Sequence, residues 1–252
     1  MPALDIPYDD YRSSHQGKGE DYHNRFAGSS HRALIWRIEQ RILKGVLRRH
    51  FPRPDQIRHL DFACGTGRIL QLLEGDVGSS TGVDIAQSML EVAGQGLENT
   101  RLICADITRS DELDDERFDL ITAFRFFPNA EPALRDEAMA KLKTFLAPGG
   151  LLVFNNHLRA GSLRHRRFLA KDRKGVLKSK RRLHVMSDQE VADLIEHHGL
   201  RVVESHHLGL LPVKKEQKPL RMSSLMLGFE RLAARSRLLA PLAGLKIHVV
   251  RV

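Results

Sequence analysis

The sequence predicts an α/β chain built on a doubly wound, mostly parallel sheet, and three observations carry that reading. Strand-length apolar runs alternate with helix-length periodic stretches between residues 57 and 155. The first run, ending Leu60-Asp61-Phe62, breaks into Ala63-Cys64-Gly65-Thr66-Gly67 and then a helix opening at Arg68. The next two runs end in acids, Asp84 and Asp106. Gly65 and Gly67 lack a Cβ, so the backbone there can take positive φ and come close to a ligand. The helix behind them points its unpaired N–H groups and the positive end of its dipole at the same place, which suits a carboxylate or phosphate.

Residues 1–30 are rich in Asp, Tyr, His, Ser and Gly and read as an N-terminal arm, either an exposed tail with surface histidines or, as the family resemblance set out below implies, a segment whose Tyr22 or His23 helps close a cofactor site. From His31 to His50, Ile35, Ile38, Ile42 and Val46 mark one helical face, and Phe51-Pro52 and Pro54 end it. Strands are expected at Ile57–Phe62, Ser80–Asp84, Arg101–Cys104, Phe118–Phe124 and Leu151–Asn155, with helices near Arg68–Leu73, Gln87–Gly94 and Pro132–Leu146. Pro148-Gly149-Gly150 reads as a helix stop and tight turn. Ser187-Asp188-Gln189-Glu190 is a capping box for a helix ending at Gly199, followed by a sixth strand at Arg201–Glu204. A last strand is expected over Lys246–Val250. Residues 31–252 are expected to form one domain with two insertions, about 158–186 and 207–245. Both insertions start where strands end, on the edge where open α/β sheets bind ligands, so together they should supply a pocket and its lid.

A chain of 252 residues fills one such core. No apolar run approaches the ~20 residues of a membrane span, and Met1 to Asp21 is too polar for a signal peptide, so a cytoplasmic protein is expected. Cys64 and Cys104 read as reduced thiols, two being too few for a disulfide framework. The formal net charge is +9, and its placement is informative. Between Ser162 and Arg182 ten Lys and Arg face Asp172 alone, so that one segment carries the whole excess. A concentrated patch argues for an anionic partner.

The turn lacks the third glycine of the dinucleotide fingerprint. Instead, four blocks resemble the class I S-adenosylmethionine-dependent methyltransferases, of the type 11 and type 25 kind. They are Leu60-Asp61-x-Ala63-Cys64-Gly65-Thr66-Gly67, Gly82-Val83-Asp84-Ile85-Ala86-Gln87-Ser88-Met89-Leu90, Phe118–Ala123 and Leu146–Phe154. The resemblance implies a Rossmann-like sheet of seven strands whose last strand is antiparallel. It also implies S-adenosylmethionine (SAM) as cofactor and S-adenosylhomocysteine (SAH) as product. Carried over by motif, the cofactor set is Asp61, Ala63, Cys64, Gly65, Gly67, Asp84, Ile85, Met89, Asp106, Ile107 and Phe124. Gly65 and Gly67 would face the methionine moiety, Asp84 the ribose, and Asp106 and Ile107 the adenine. Asp61 is expected to order the glycine turn through backbone N–H groups.

Methyl transfer from a sulfonium is an in-line displacement that depends on alignment, exclusion of water and, for a hydroxyl nucleophile, a base. Arg125 and His157 stand at the ends of the fourth and fifth strands as catalytic candidates: His157 as general base, Arg125 to hold an acidic group of the acceptor or the cofactor carboxylate. Phe126, Phe127, Asn129 and Asn156 are the substrate candidates. Arg125 and Asn155-Asn156 stand where magnesium-dependent relatives carry acids, and His197-His198 and His206-His207 lack zinc-site spacing, so no metal is expected. The stretch from Phe124 to Arg135 with Asn155-Asn156-His157 resembles methyltransferases of polysaccharide and glycolipid biosynthesis.

The expected function is therefore O-methylation of a small-molecule, glycan or lipid-linked acceptor. The alternatives are a nucleic-acid methyltransferase and a catalytically silent cofactor- or surface-binding domain. For residues 162–182, contact with an anionic membrane, at the inner face, competes with a solvated lid. Nucleic acid is less favoured because Phe168 is the segment's single aromatic. Leu225, Phe229, Leu232 and Leu239 with nearby arginines suit either an interfacial helix or a lid helix packed on its own core.

Overall fold

The structure, a computed structural model, describes residues 11–13, 31–157, 159–173, 185–210, 224–235 and 238–252. Its centre is a seven-stranded sheet of β1 (Arg58–Phe62), β2 (Ser79–Asp84), β3 (Thr100–Cys104), β4 (Phe118–Ala123), β5 (Leu146–Asn156), β6 (Arg201–Leu208) and β7 (Leu245–Arg251). The spatial order is β3-β2-β1-β4-β5-β7-β6. β1 to β5 pair in parallel, and β7 lies antiparallel between β5 and β6. β1 is central, and the chain reverses direction across the sheet on either side of it, which places a crevice at its carboxyl end.

Among the described residues seven α-helices flank this sheet: α1 (His31–His50), α2 (Arg68–Leu73), α3 (Gln87–Gly94), α4 (Pro132–Thr144), α5 (Leu163–Arg173), α6 (Asp188–His197) and α7 (Ser224–Arg235). The strands alternate their side chains between two apolar layers, as the pleat requires. Phe62, Ile121, Leu152 and Phe154 pack with Leu134, Ala138 and Met139 of α4 and Val191 and Ile195 of α6. Leu120, Leu151 and Val153 pack on the other side with Leu34, Ile38, Val46 and Leu47 of α1 and Ile69 and Leu73 of α2. Because both faces are covered, the central strands read as continuous apolar runs rather than alternating ones.

Several boundaries move. β5 begins at Leu146 rather than Leu151, and the expected Pro148-Gly149-Gly150 turn is a bulge inside it. Gly149 has φ 79, and the pairing slips between Phe118↔Leu146 and Leu120↔Leu151. α4 accordingly stops at Thr144. β6 runs on to Leu208 because β7 pairs along its length, so the second insertion starts later than expected. The capping box is present: Glu190 N–H donates to Ser187 Oγ at 3.1 Å and Ser187 N–H to Glu190 Oε2 at 2.6 Å. Gly199, with φ 65, closes the same helix, its N–H donating to Glu196 O at 2.8 Å and that of Leu200 to Ile195 O at 3.0 Å.

Candidate cofactor and acceptor site

The glycine turn stands at the carboxyl end of β1. Ala63, Gly65 and Gly67 have φ values of 53, 55 and 74, all left-handed. Ala63 holds that conformation with a Cβ, a strain of about 1–2 kcal/mol. A Cβ built on Gly67 would stand 2.9 Å from the Ala93 Cβ of α3, whereas one on Gly65 would meet nothing within 4 Å. Space therefore lies over Gly65, while Gly67 is where the turn presses against its neighbour helix. Thr66 Oγ1 in this turn and Ser88 Oγ in the first turn of α3 are buried without a hydrogen-bond partner in the described residues.

The acid that orders the turn is Asp84, and the expectation that Asp61 does so is corrected. Gly65 N–H donates to Asp84 Oδ2 at 2.8 Å and Ala86 N–H to Oδ1 at 2.9 Å, one carboxylate joining the first turn to the second. Asp61 instead accepts from Thr122 Oγ1 at 2.6 Å. With Asp61 ionised, that hydroxyl has spent its proton, so the 2.9 Å contact between Thr122 Oγ1 and His59 Nε2 is donated by the imidazole. His59 Nδ1 then accepts from Ser80 Oγ at 3.3 Å. Burial raises the Asp61 pKa to about 7 against the Thr122 hydrogen bond and the Arg68 charge, with Asp84 adding to the rise. Burial holds His59 neutral, its pKa lowered to about 3. The Cys64 thiol is likewise pushed well up, by burial and by Asp61 and Asp84. Both cysteines are free.

At the tip of β3 the structure reveals residues the sequence did not nominate. Arg12 Nε donates to Asp106 Oδ2 at 2.7 Å, and its Nη2 reaches Thr108 Oγ1 at 3.0 Å and Glu137 Oε2 at 2.8 Å. Tyr11 N–H donates to Glu131 Oε1 at 2.7 Å, and its ring meets Phe126 edge-on at 5.4 Å. Burial alone would raise the Asp106 pKa, but the Thr108 and Arg12 hydrogen bonds and the Arg12 charge hold it below the ordinary value. Tyr22 and His23 lie outside the described residues. Ile85 follows Asp84, while Met89 and Ile107 are buried beneath the turns and Phe124 belongs to the layer under α1.

At the ends of β4 and β5, Arg125 has φ 63, and its backbone N–H donates to Asn155 Oδ1 at 2.7 Å. Asn129 Nδ2 donates to Arg125 O at 2.6 Å, which fixes the same bend. Asn156 is buried and donates through Nδ2 to Met186 O at 2.9 Å. Phe127, named with the acceptor residues, packs into the core. It is 0% exposed, with its ring between Phe126 and Phe154 at centroid distances of 5.3 and 4.9 Å. Phe126 is nearly as buried, edge-on to Phe62 at 4.6 Å, with Tyr11 on its other side. His157 Nδ1 is buried without a hydrogen-bond partner in the described residues. Burial, then the charges of Arg125, Arg164 and Arg32, lower the His157 pKa well below 6.5. The imidazole is therefore in its basic form at neutral pH.

Away from this edge, Asp136, His197 and His198 bring ligand atoms within 4.8 Å of one another, with His198 Nε2 2.8 Å from Asp136 Oδ1. Sequence spacing alone could not show that grouping, because α4 supplies the acid. No helix among the described residues is long and apolar enough to cross a membrane.

Residues 60–154 match the family described as "Methyltransferase domain". A dTDP-3-amino-3,6-dideoxy-alpha-D-glucopyranose N,N-dimethyltransferase of Streptomyces fradiae is 30% identical over 145 residues, 57% of this chain and 50% of that protein. A demethylmenaquinone methyltransferase of Staphylococcus aureus (strain MRSA252) is 31% identical over 103 residues, 38% of this chain and 42% of that one. The chain thus spans about half the length of the curated relatives it matches. Among solved structures, magnesium protoporphyrin IX methyltransferase of Synechocystis PCC 6803 with bound SAH superposes with a TM-score of 0.64 at 12% identity, covering 97% of this chain and 100% of that one. A TehB-like SAM-dependent methyltransferase of Corynebacterium glutamicum gives 0.56 at 17% identity, covering 92% and 96%. At these identities the two structures show the shared fold.

Proposed function

Residues 60–154 belong to the class I SAM-dependent methyltransferase family, and on that premise we propose that the chain moves a methyl group from SAM to an oxygen of a small-molecule, glycan or lipid-linked acceptor. The observation that carries the oxygen acceptor is His157, neutral and with an unengaged Nδ1, at the sheet edge that also holds the glycine turn. SAM supplies an electrophilic methyl on a sulfonium, and the chain's residues fit such a ligand. Gly65 leaves open space above the turn, and Thr66 Oγ1 is a buried polar atom of the turn without a partner in the described residues. Gly65, Gly67, Ala63 and Cys64 would face the methionine end, with Asp61 toward its ammonium. Asp84 would accept from the ribose hydroxyls with the lone pairs its backbone bonds leave over. Asp106 would take the adenine amine beside Ile107, with Tyr11 and Arg12 as a strap across that end. His157 would take the acceptor's proton, and Arg125, Asn129 and Asn156 would shape the acceptor side.

The relatives' names include an amino sugar, a quinone and a magnesium porphyrin, all small molecules, which supports a small acceptor over a nucleic acid. A lipid-linked acceptor is favoured by a separate observation. Phe229 is 51% exposed and Leu232 74% on α7, and Leu169 on α5 is exposed beside Arg166 and Arg167. Apolar tips among cations suit an anionic lipid surface. Residues 174–182 of the basic segment lie outside the described residues.

The test is transfer of label from SAM into an extract split into lipid, glycan, nucleic-acid and small-metabolite fractions, with His157→Gln in parallel. Label in the first, second or fourth fraction is expected. His157→Gln should lose about a hundredfold or more in rate while SAH binding stays intact. Unchanged transfer by that variant would remove the base, and label in nucleic acid would overturn the acceptor class. SAH binding without any label would favour the silent domain.

A further inference from the structure

Asp136, His197 and His198 form, among the described residues, the one group of three side chains whose nitrogen and oxygen ligand atoms lie within 4.8 Å of one another. Two helices bring them together. Asp136 stands in the second turn of α4, His197 is the last residue of α6, and His198 caps that helix. Leu134 and Ala138 of α4 share one buried cluster with Val191 and Ile195 of α6, so the spacing between the acid and the imidazoles is set by core packing. Neighbouring residues inside a helix point about 100° apart. Here the second histidine has left the helical conformation, with φ −87 and ψ 8, and the two rings meet edge-on with centroids 5.0 Å apart. The left-handed Gly199 and the return bonds from Gly199 N–H to Glu196 O and from Leu200 N–H to Ile195 O hold the backbone that carries both rings.

Asp136 Oδ1 stands 2.8 Å from His198 Nε2 and 3.9 Å from His197 Nε2. Two donors each ~2.1 Å from a tetrahedral zinc ion lie about 3.4 Å apart, between those two distances, so shifts of about half an ångström bring all three onto one ion. His197, whose side chain is 72% exposed, has room to make its shift, and His198, 10% exposed, supplies the fixed ligand. Two imidazole nitrogens and one carboxylate oxygen suit a borderline transition-metal ion rather than calcium or magnesium, which take oxygen donors. Solvent fills the remaining position. We infer that Asp136, His197 and His198 bind a divalent transition-metal ion, zinc or one of its neighbours, that clasps the end of α6 to α4. The ion is structural and takes no part in methyl transfer, so the inference stands apart from the methyltransferase reading. Lys143 Nζ also reaches this corner, 3.5 Å from where a Cβ on Gly199 would stand, and its charge weakens the site. The same turn of α4 carries Arg135, whose Nε donates to Phe127 O at 2.7 Å, and Glu137, which accepts from Arg12 at 2.8 Å. An ion held there therefore stiffens the turn on which the Phe127 bend and the Tyr11–Arg12 strap rest.

Zinc titrated by calorimetry into the untagged full chain, first stripped with EDTA, tests this, with cobalt(II) as a paramagnetic probe of the histidine rings by NMR. One tight ion per chain is expected, and at a hundredfold excess over Kd it should raise Tm by about 5 °C or more. Cobalt should shift or broaden the ring signals of His197 and His198 before those of the chain's other histidines. His197→Ala, at an exposed position, should leave the metal-free Tm unchanged and weaken zinc about tenfold or more. Asp136→Ala should weaken it likewise, and if that variant does not fold, His197→Ala decides alone. Zinc affinity equal in the parent and in His197→Ala means an adventitious ion only and overturns the inference, as does a cobalt effect that reaches other histidines first. Magnesium binding as tightly as zinc would point to carboxylates without imidazoles and would overturn it too.

Discussion

Raising the pH from 6 to 8 is expected to tighten SAH binding about tenfold, through Asp61 alone. Its carboxyl is 2% exposed and has a pKa of about 7, because burial outweighs the Thr122 hydrogen bond and the Arg68 charge. At pH 6 roughly one-tenth of the carboxyl is ionised and at pH 8 roughly nine-tenths, a factor of about ten, or ~1.4 kcal/mol, if the ligand's ammonium binds the charged form. The neighbouring relay does not titrate in this window, since the His59 pKa is about 3. Calorimetry of SAH from pH 6 to 8 measures the slope, and Asp61→Asn, which can still accept from Thr122, should flatten it. A flat wild-type profile, or the same slope in the variant, refutes the assignment. Stability should move the opposite way. A carboxyl whose pKa rises from 3.8 to about 7 on folding contributes fully below pH 3.8 and loses that contribution as pH climbs through 7, about 4 kcal/mol in all. Asp61→Asn should therefore melt above the wild type at pH 8 while binding SAH less tightly there. His59 has the reverse sign, its contribution being present above pH 6.5 and lost as pH falls toward 3.

Gly67→Ala should cost about 2–4 kcal/mol and lower Tm by several degrees, since it joins left-handed strain to a 2.9 Å approach to Ala93 Cβ. Gly65→Ala has the strain without the clash, so its loss in Tm should be smaller and its loss in SAH affinity larger. The opposite order, seen by thermal melts and calorimetry, would mean the space over Gly65 is not the ligand's. Arg12→Ala removes partly exposed ion pairs to Asp106 and Glu137 and should cost only about 1 kcal/mol. Its clearer effect should be a rise in the Asp106 pKa, followed by NMR, and an unchanged pKa would show that the strap does not depend on this arginine.

Local chemistry made much of the chain readable. The glycine turn, the acids at Asp84 and Asp106 and the Ser187–Glu190 box depend on neighbours within a few residues, and the structure has each of them where the sequence places it, while β5 and β6 run longer than their local runs predict.

Tertiary structure decided what those residues touch. Asp84 rather than Asp61 took the Gly65 N–H because β2 pairs beside β1 in a register that brings its end to the turn, a fact fixed by cross-strand pairing. Arg12 reached Asp106 across 94 positions from an arm without periodicity, and Phe127 turned inward because its two neighbouring rings surround it. Identity and spacing set what a residue can do chemically, but burial and neighbouring charge, which exist only once the chain is folded, set its pKa and its partner.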